Sequence, residues 1–195
     1  MTWKEIKLAS LQKMFASDGS SIPSDGSADD YLAAMPYAAN EAINMLATAG
    51  KYIKKSIEIE HKTSEWKYDL LSLADDFYEI DKILYEAERN FVDFKNYRIE
   101  NKYLVMPTAP EGKYIVSYMA YPEQITDKTP DDFKIEMDPE VVVLIPLYIA
   151  SELYKDDDNA IATTYRNEFE VAFERLQNAV VTGKAEEVKS ESGWI

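Results

Sequence analysis

Three consecutive carboxylates, Asp156-Asp157-Asp158, are the residues with the strongest claim to chemistry. A hard cation such as calcium is held by several oxygen ligands, so an acidic run is a natural starting point. A calcium loop also needs ligands at alternating positions, a glycine turn and a closing bidentate glutamate. The stretch DDDNAIATTYRNE has no glycine. The simpler reading makes Asp158 or Asn159 the cap of the helix that follows, with the other acids favouring its positive end. His61 is the single histidine, set between Glu60 and Lys62. One imidazole builds neither a triad nor a histidine-cluster metal site, and His61 reads as an exposed strand-end residue. The adjacent pairs Asp75-Asp76 and Asp131-Asp132 show no common substrate face. Gly26, Gly50, Gly112 and Gly183 fall in no phosphate-loop or dinucleotide pattern. Absence of cysteine removes disulfides, thiolate nucleophiles and sulfur-bound zinc. The residues argue for no enzyme, no metal and no cofactor.

The elements around these residues follow from periodicity. The segment Asp138 to Val181 organises the chain. From Val141 to Ala150 every residue is apolar, which is too short for a membrane span and suits a buried core segment. Asp138 precedes Pro139 as a capping residue precedes a proline at the first helical position. Pro146 leaves open whether Val141 to Ile145 is extended. After the aspartates, Ile161, Tyr165, Phe169, Phe173, Leu176 and Val180 recur on one helical face, with Arg166, Glu170, Glu174 and Gln177 turned away. A buried helix followed by a half-buried one forms a helical hairpin.

Upstream, Thr2 and Glu5 fit a capping box, and Leu8, Leu11, Met14 and Phe15 give a short stripe ending near Ala16. SDGSSIPSDGS from Ser17 is a loop. Ser27 and Asp30 offer a second box for a helix over Asp29 to Ala49, where Pro36 predicts a kink or a new start. Its many alanines favour close helix approach. The start MTWKEIKLASLQK reads as a helix and not as an apolar leader.

Beyond Gly50 the period falls to two. Lys51 to Glu60 predicts a strand, and Trp66, Tyr68 and Leu70 another. Leu71 to Arg89 fits either helix or strand. Phe91 to Ile99, Lys102 to Met106 and Lys113 to Tyr121 are strand-like, with a tight hairpin at Glu100-Asn101-Lys102. The expected fold is α+β: a helical body from residues 1–50 and 131–181, a β-rich insertion at 52–126, and a flexible tail at 182–195. The aromatic rings of the insertion are more than a small sheet needs inside, so some are available to an interface or to sugar stacking. The formal net charge is -15, from 21 basic and 36 acidic residues, and the sequence shows no cluster of Lys and Arg of the kind that affinity for a phosphate backbone needs. Charge alone reads first as an ordinary soluble surface, and it also suits a passage through which nucleic acid slides without sticking.

The run IPLYIASELYKDDDNAIATTYRNEFEVAFERL is similar to the C-terminal helical pair of head-to-tail connector (adaptor) proteins of tailed bacteriophages and prophages. The matching residues are Pro146 to Ser151, Leu153 to Lys155 with the aspartates, and Tyr165 to Glu170. MPYAANEAINMLA from Met35 and GKYIVSYMAYPEQIT resemble the same family in style. The resemblance implies a structural virion protein at the head–tail junction, assembled in the host cytoplasm. It implies a ring, commonly of twelve subunits, bound beneath the portal protein and facing a stopper or tail-completion protein. DNA would pass through the lumen without specific binding, and no membrane is involved. The β-rich insertion departs from the smallest adaptors, which are nearly all helical. Ring closure needs a heterologous interface. Its candidates are Ala39, Ala42, Tyr148, Tyr154, Tyr165, Arg166 and Phe169, and larger residues at Ala39 and Ala42 are expected to block assembly while sparing the monomer. Candidate helix caps are Ser27, Asp138 and Asp158. The competing reading is a glycan- or receptor-binding module that uses the aromatic insertion.

Overall fold

The computed structural model describes residues 1–50, 53–88 and 90–184. The fold is α+β, with helices from both ends of the chain flanking a β-rich middle. Helices α1 (Trp3–Lys13) and α2 (Asp29–Gly50) come first. The middle holds β1 (Lys54–His61), β2 (Lys67–Asp69), α3 (Leu70–Leu73), β3 (Phe77–Ala87), β4 (Asn90–Asp93), β5 (Arg98–Glu100), β6 (Tyr103–Val105) and β7 (Gly112–Ala120). Helices α4 (Pro139–Val142), α5 (Ile145–Leu153) and α6 (Asn159–Lys184) follow. Two compact units result, one from Met1–Leu46 with the chain from Gln124 onward, the other from Ala47–Glu123.

In the first unit the Thr2 capping box forms as its spacing predicts: Glu5 N–H donates to Thr2 Oγ1 at 3.3 Å and Thr2 N–H to Glu5 Oε2 at 2.7 Å. The first helix runs to Lys13 with Met14 as its cap, close to the expected stop near Ala16. Ala16 N–H reaches back to Leu11 O and Phe15 N–H to Gln12 O, a Schellman ending with Phe15 at φ 57. That turn throws Phe15 out of the apolar stripe, and it is 72 % exposed. Trp3, Ile6 and Leu11 stay buried as α1 packs on α5. Backbone bonds tie the chain start to a distant stretch: Trp3 N–H to Phe133 O at 2.8 Å and Lys4 N–H to Asp131 O at 3.0 Å.

Helix α2 runs through Pro36 without a break. The missing amide hydrogen opens one rung of the ladder, a local cost offset by burial of Met35, Ile43 and Leu46 along the same helix. Ser27 does not cap it. Its hydroxyl and amide both turn back to Asp25 Oδ1, at 2.6 and 3.1 Å, because this loop closes on itself before the helix begins. Ala39 and Ala42 are fully buried within the chain, so neither is available to a neighbouring subunit. Asn40 holds the Ile125 backbone at both groups, donating to its carbonyl and accepting from its amide, each at 2.8 Å.

Asp138 occupies the N-cap of α4 with Pro139 in the first turn, but its carboxylate makes no capping bond and only its carbonyl accepts, from Val141 and Val142. Val143 and Leu144 keep helical dihedrals, so Val141 to Ile145 is not extended. Asp158 Oδ1 accepts from the amides of Ala160 and Ile161 at 3.0 and 3.1 Å, at the start of α6. Helix α6 continues to Lys184, past the expected tail boundary at Thr182; residues 185–195 and the side chain of Val180 lie outside the described residues.

In the second unit one sheet has strand order β1-β7-β3-β4 and another β2-β6-β5, all pairs antiparallel. The ambiguous stretch from Leu71 resolves into the end of α3 and then β3, because pairing with β7 and β4 overrides helical spacing there. The expected strand from Phe91 to Ile99 divides between the two sheets as β4 and β5. The hairpin turn is Asn101-Lys102, both at positive φ, as a two-residue primed turn requires. Lys51 and Tyr52, at the start of the first expected strand, lie outside the described residues.

His61 is the main correction in this unit. It shares the parity of Ile57 and Ile59 on β1, which places it on the inner face at 2 % exposure, not in solvent. Tyr68 OH donates to Glu65 O at 2.6 Å, so the 2.8 Å contact is His61 Nδ1–H donating to Tyr68. Tyr114 fills the centre, with rings of His61, Tyr85 and Phe94 at 5.7, 4.9 and 5.2 Å. The unit closes on itself where Ala120 N–H donates to Ile53 O.

Two outcomes follow from this packing. Ala42→Leu forces new methylenes into a filled interior and should lower unfolding free energy by about 1–3 kcal/mol in urea titration. Asp76 is partly buried, which alone would raise its pKa, but bonds from Lys55 and Tyr118 hold it below the usual carboxylate range. Stability from a depressed carboxylate is present above the unfolded pKa, about 4, and is lost as pH falls through the lower folded value. Thermal melts of Asp76→Asn should therefore fall less between neutral and acid pH than those of the parent chain.

Candidate assembly interface

The residues that carry the connector resemblance fold onto one another. Helix α5 presents Tyr148 to α6, whose Phe169 meets it edge-on at 5.1 Å and stacks on Phe173 at 5.8 Å. Arg166 lies one helical turn before Glu170 on α6, and its guanidinium sits 4.8 Å over the Tyr148 ring. Arg166 Nη1 donates to Glu152 at 3.1 Å and Nε to Glu170 at 2.8 Å. The Glu170 bond, outweighing partial burial, raises the Arg166 pKa further above its ordinary value. Burial raises the Tyr148 phenol, which donates to Glu41 at 3.2 Å. Tyr165 OH donates to Lys13 O at 2.9 Å, fixing α6 to the end of α1.

These contacts change the list of interface candidates. Ala39, Ala42, Tyr148 and Phe169 are core residues of the first unit, and Tyr154, Tyr165 and Arg166 are half-buried. Aromatic residues at helical spacing go inward because that is how the hairpin closes. The acidic run is divided between local tasks. Asp158 caps α6, while Asp157 accepts the Tyr31 hydroxyl, and that bond pushes the Tyr31 pKa up to about 12. Among the described residues, no group of three or more acidic or imidazole side chains gathers as a metal-ligand set.

Sequence reading misses the residues that do face solvent. On the first unit these include Phe15, Tyr37, Val143 and Val171, with Tyr37 at 78 % exposure. Tyr37 rims a groove of about 470 Å³ lined by Ala33, Pro36, Asn40, Ile125 and Thr126. Val171 lies with Thr164, Asn167, Glu168 and Arg175 on the outward side of α6. Phe15 is distinctive. A bulky residue at positive φ is strained, and glycine is favoured at that position of a Schellman ending. Its signal in the sequence is only its place at the end of a short stripe.

No family model matches the chain, and no curated protein matches it significantly. No helix among the described residues is long and apolar enough to cross a membrane.

Arg166→Lys keeps the charge but cannot bridge two carboxylates while covering a ring. It should cost about 1 kcal/mol of unfolding free energy, discounted because the site is part-exposed, and denaturant titration checks it.

Proposed function

We propose that the chain is a non-enzymatic assembly protein, a head-to-tail connector that docks through its helical unit. The observation that carries this reading is Phe15, which is exposed and strained where a glycine would relieve the backbone. Strain of that kind under a solvent-facing ring fits a side chain presented to a partner. The resemblance of Pro146 to Lys155 and Tyr165 to Glu170 to the connector family supplies the partner, a portal ring. The acid excess suits a protein that surrounds DNA without gripping it.

The test mixes the full chain with a purified portal protein of a tailed bacteriophage and images the product by electron microscopy. Rings of this chain seated on the portal are expected. Phe15→Gly should leave the monomer as stable or about 1 kcal/mol more stable, since it removes the left-handed strain, while weakening portal binding about tenfold. Absence of portal binding by the parent chain would overturn the reading, as would full binding by Phe15→Gly.

A further inference from the structure

The four-stranded sheet of the second unit has two edges of opposite character. Edge strand β1 carries Lys54, Lys55, Glu58 and Glu60, all exposed, the pattern by which natural sheets discourage further pairing. Edge strand β4, Asn90-Phe91-Val92-Asp93, has neither lysine nor proline. All four of its residues are exposed, so Phe91 and Val92 stand in solvent on opposite faces. The ladder fixes its backbone. Phe94 N–H donates to Ile83 O, and Ala87 pairs with Asn90, so alternation turns the N–H and C=O of Phe91 and Asp93 to the open side. Among the described residues no strand pairs there.

A cleft of about 580 Å³ continues from this edge, lined by Lys82, Phe94, Lys95, Tyr97, Arg98 and Ile99. Two acids share it, Asp93 and Asp81, the second paired with Lys54 at 3.6 Å, and Arg98 is paired with Glu100. Neither Lys82 nor Lys95 has a carboxylate partner among the described residues. In a chain of net charge -15 this is a local concentration of free cationic groups beside exposed apolar ones.

We propose that β4 is a docking edge for an extended acidic segment of a partner protein, which adds to the sheet as a further strand. Backbone pairing at Phe91 and Asp93 supplies the register, Phe91 and Val92 supply apolar contact, and Lys82 and Lys95 select acidic side chains. This does not rest on the connector reading, since it concerns the other unit.

The probe is a short labelled peptide alternating Glu and Val, compared with its Lys–Val counterpart by fluorescence anisotropy on the full chain. The Glu–Val peptide should bind and shift the amide resonances of Phe91 and Asp93, and the Lys–Val peptide should bind about tenfold more weakly. Lys82→Glu with Lys95→Glu should invert that preference. Phe91→Pro removes an amide hydrogen that points away from β3 and should abolish binding; if it unfolds the chain, the inversion still decides. No binding, or equal binding of both peptides, overturns the proposal. So does self-association of the parent chain that the charge reversal or Phe91→Pro removes, because the edge would then belong to a second copy.

Discussion

The seating of the first helix on the later ones is the constraint on which the helical unit depends. Lys7 and Asp131 meet at 2.6 Å although they stand 124 positions apart in the chain. Closing a loop of that length costs about 4 kcal/mol beyond a constant. An exposed ion pair returns at most about 1 kcal/mol and cannot offset it. Burial of Trp3, Ile6 and Leu11 on α1 and of Ile145 and Ile149 on α5 is the larger effect, at roughly 1.5–3 kcal/mol for each side chain. The backbone bonds of Trp3 and Lys4 then fix the position that burial has chosen.

Closure at this point leaves the middle of the chain free to form a core of its own. That core is aromatic and centred on Tyr114, whose hydroxyl donates to Pro110 O at 2.9 Å. Buried rings with a satisfied polar end explain why so many tyrosines fit a small sheet. Several rings that a sugar-stacking surface would need are occupied here instead, with Tyr68, Phe77, Tyr114 and Tyr118 all inside.

Fold class is legible because period carries it: spacing near four at both ends, spacing of two between. The Thr2 box and the Asn101-Lys102 turn are legible because their chemistry is local. Burial is harder to read. The charged neighbours of His61 point to solvent, whereas its parity with Ile59 is the better guide. The spacing of Tyr148 and Phe169 fits a core as well as an interface, and packing within the chain decides between them. Phe15 and the open edge of β4 depend on how the chain turns and which strands find partners, and a one-dimensional pattern holds neither.

Native-state hydrogen exchange on Ile6→Val tests the coupling of the two chain ends most directly. Ile6 is fully buried on α1, and losing one methyl group there costs about 1 kcal/mol. If the ends fold as one cooperative body, amides of α5 lose the same protection free energy as those of α1. Loss confined to α1, with α5 unchanged, would contradict the account.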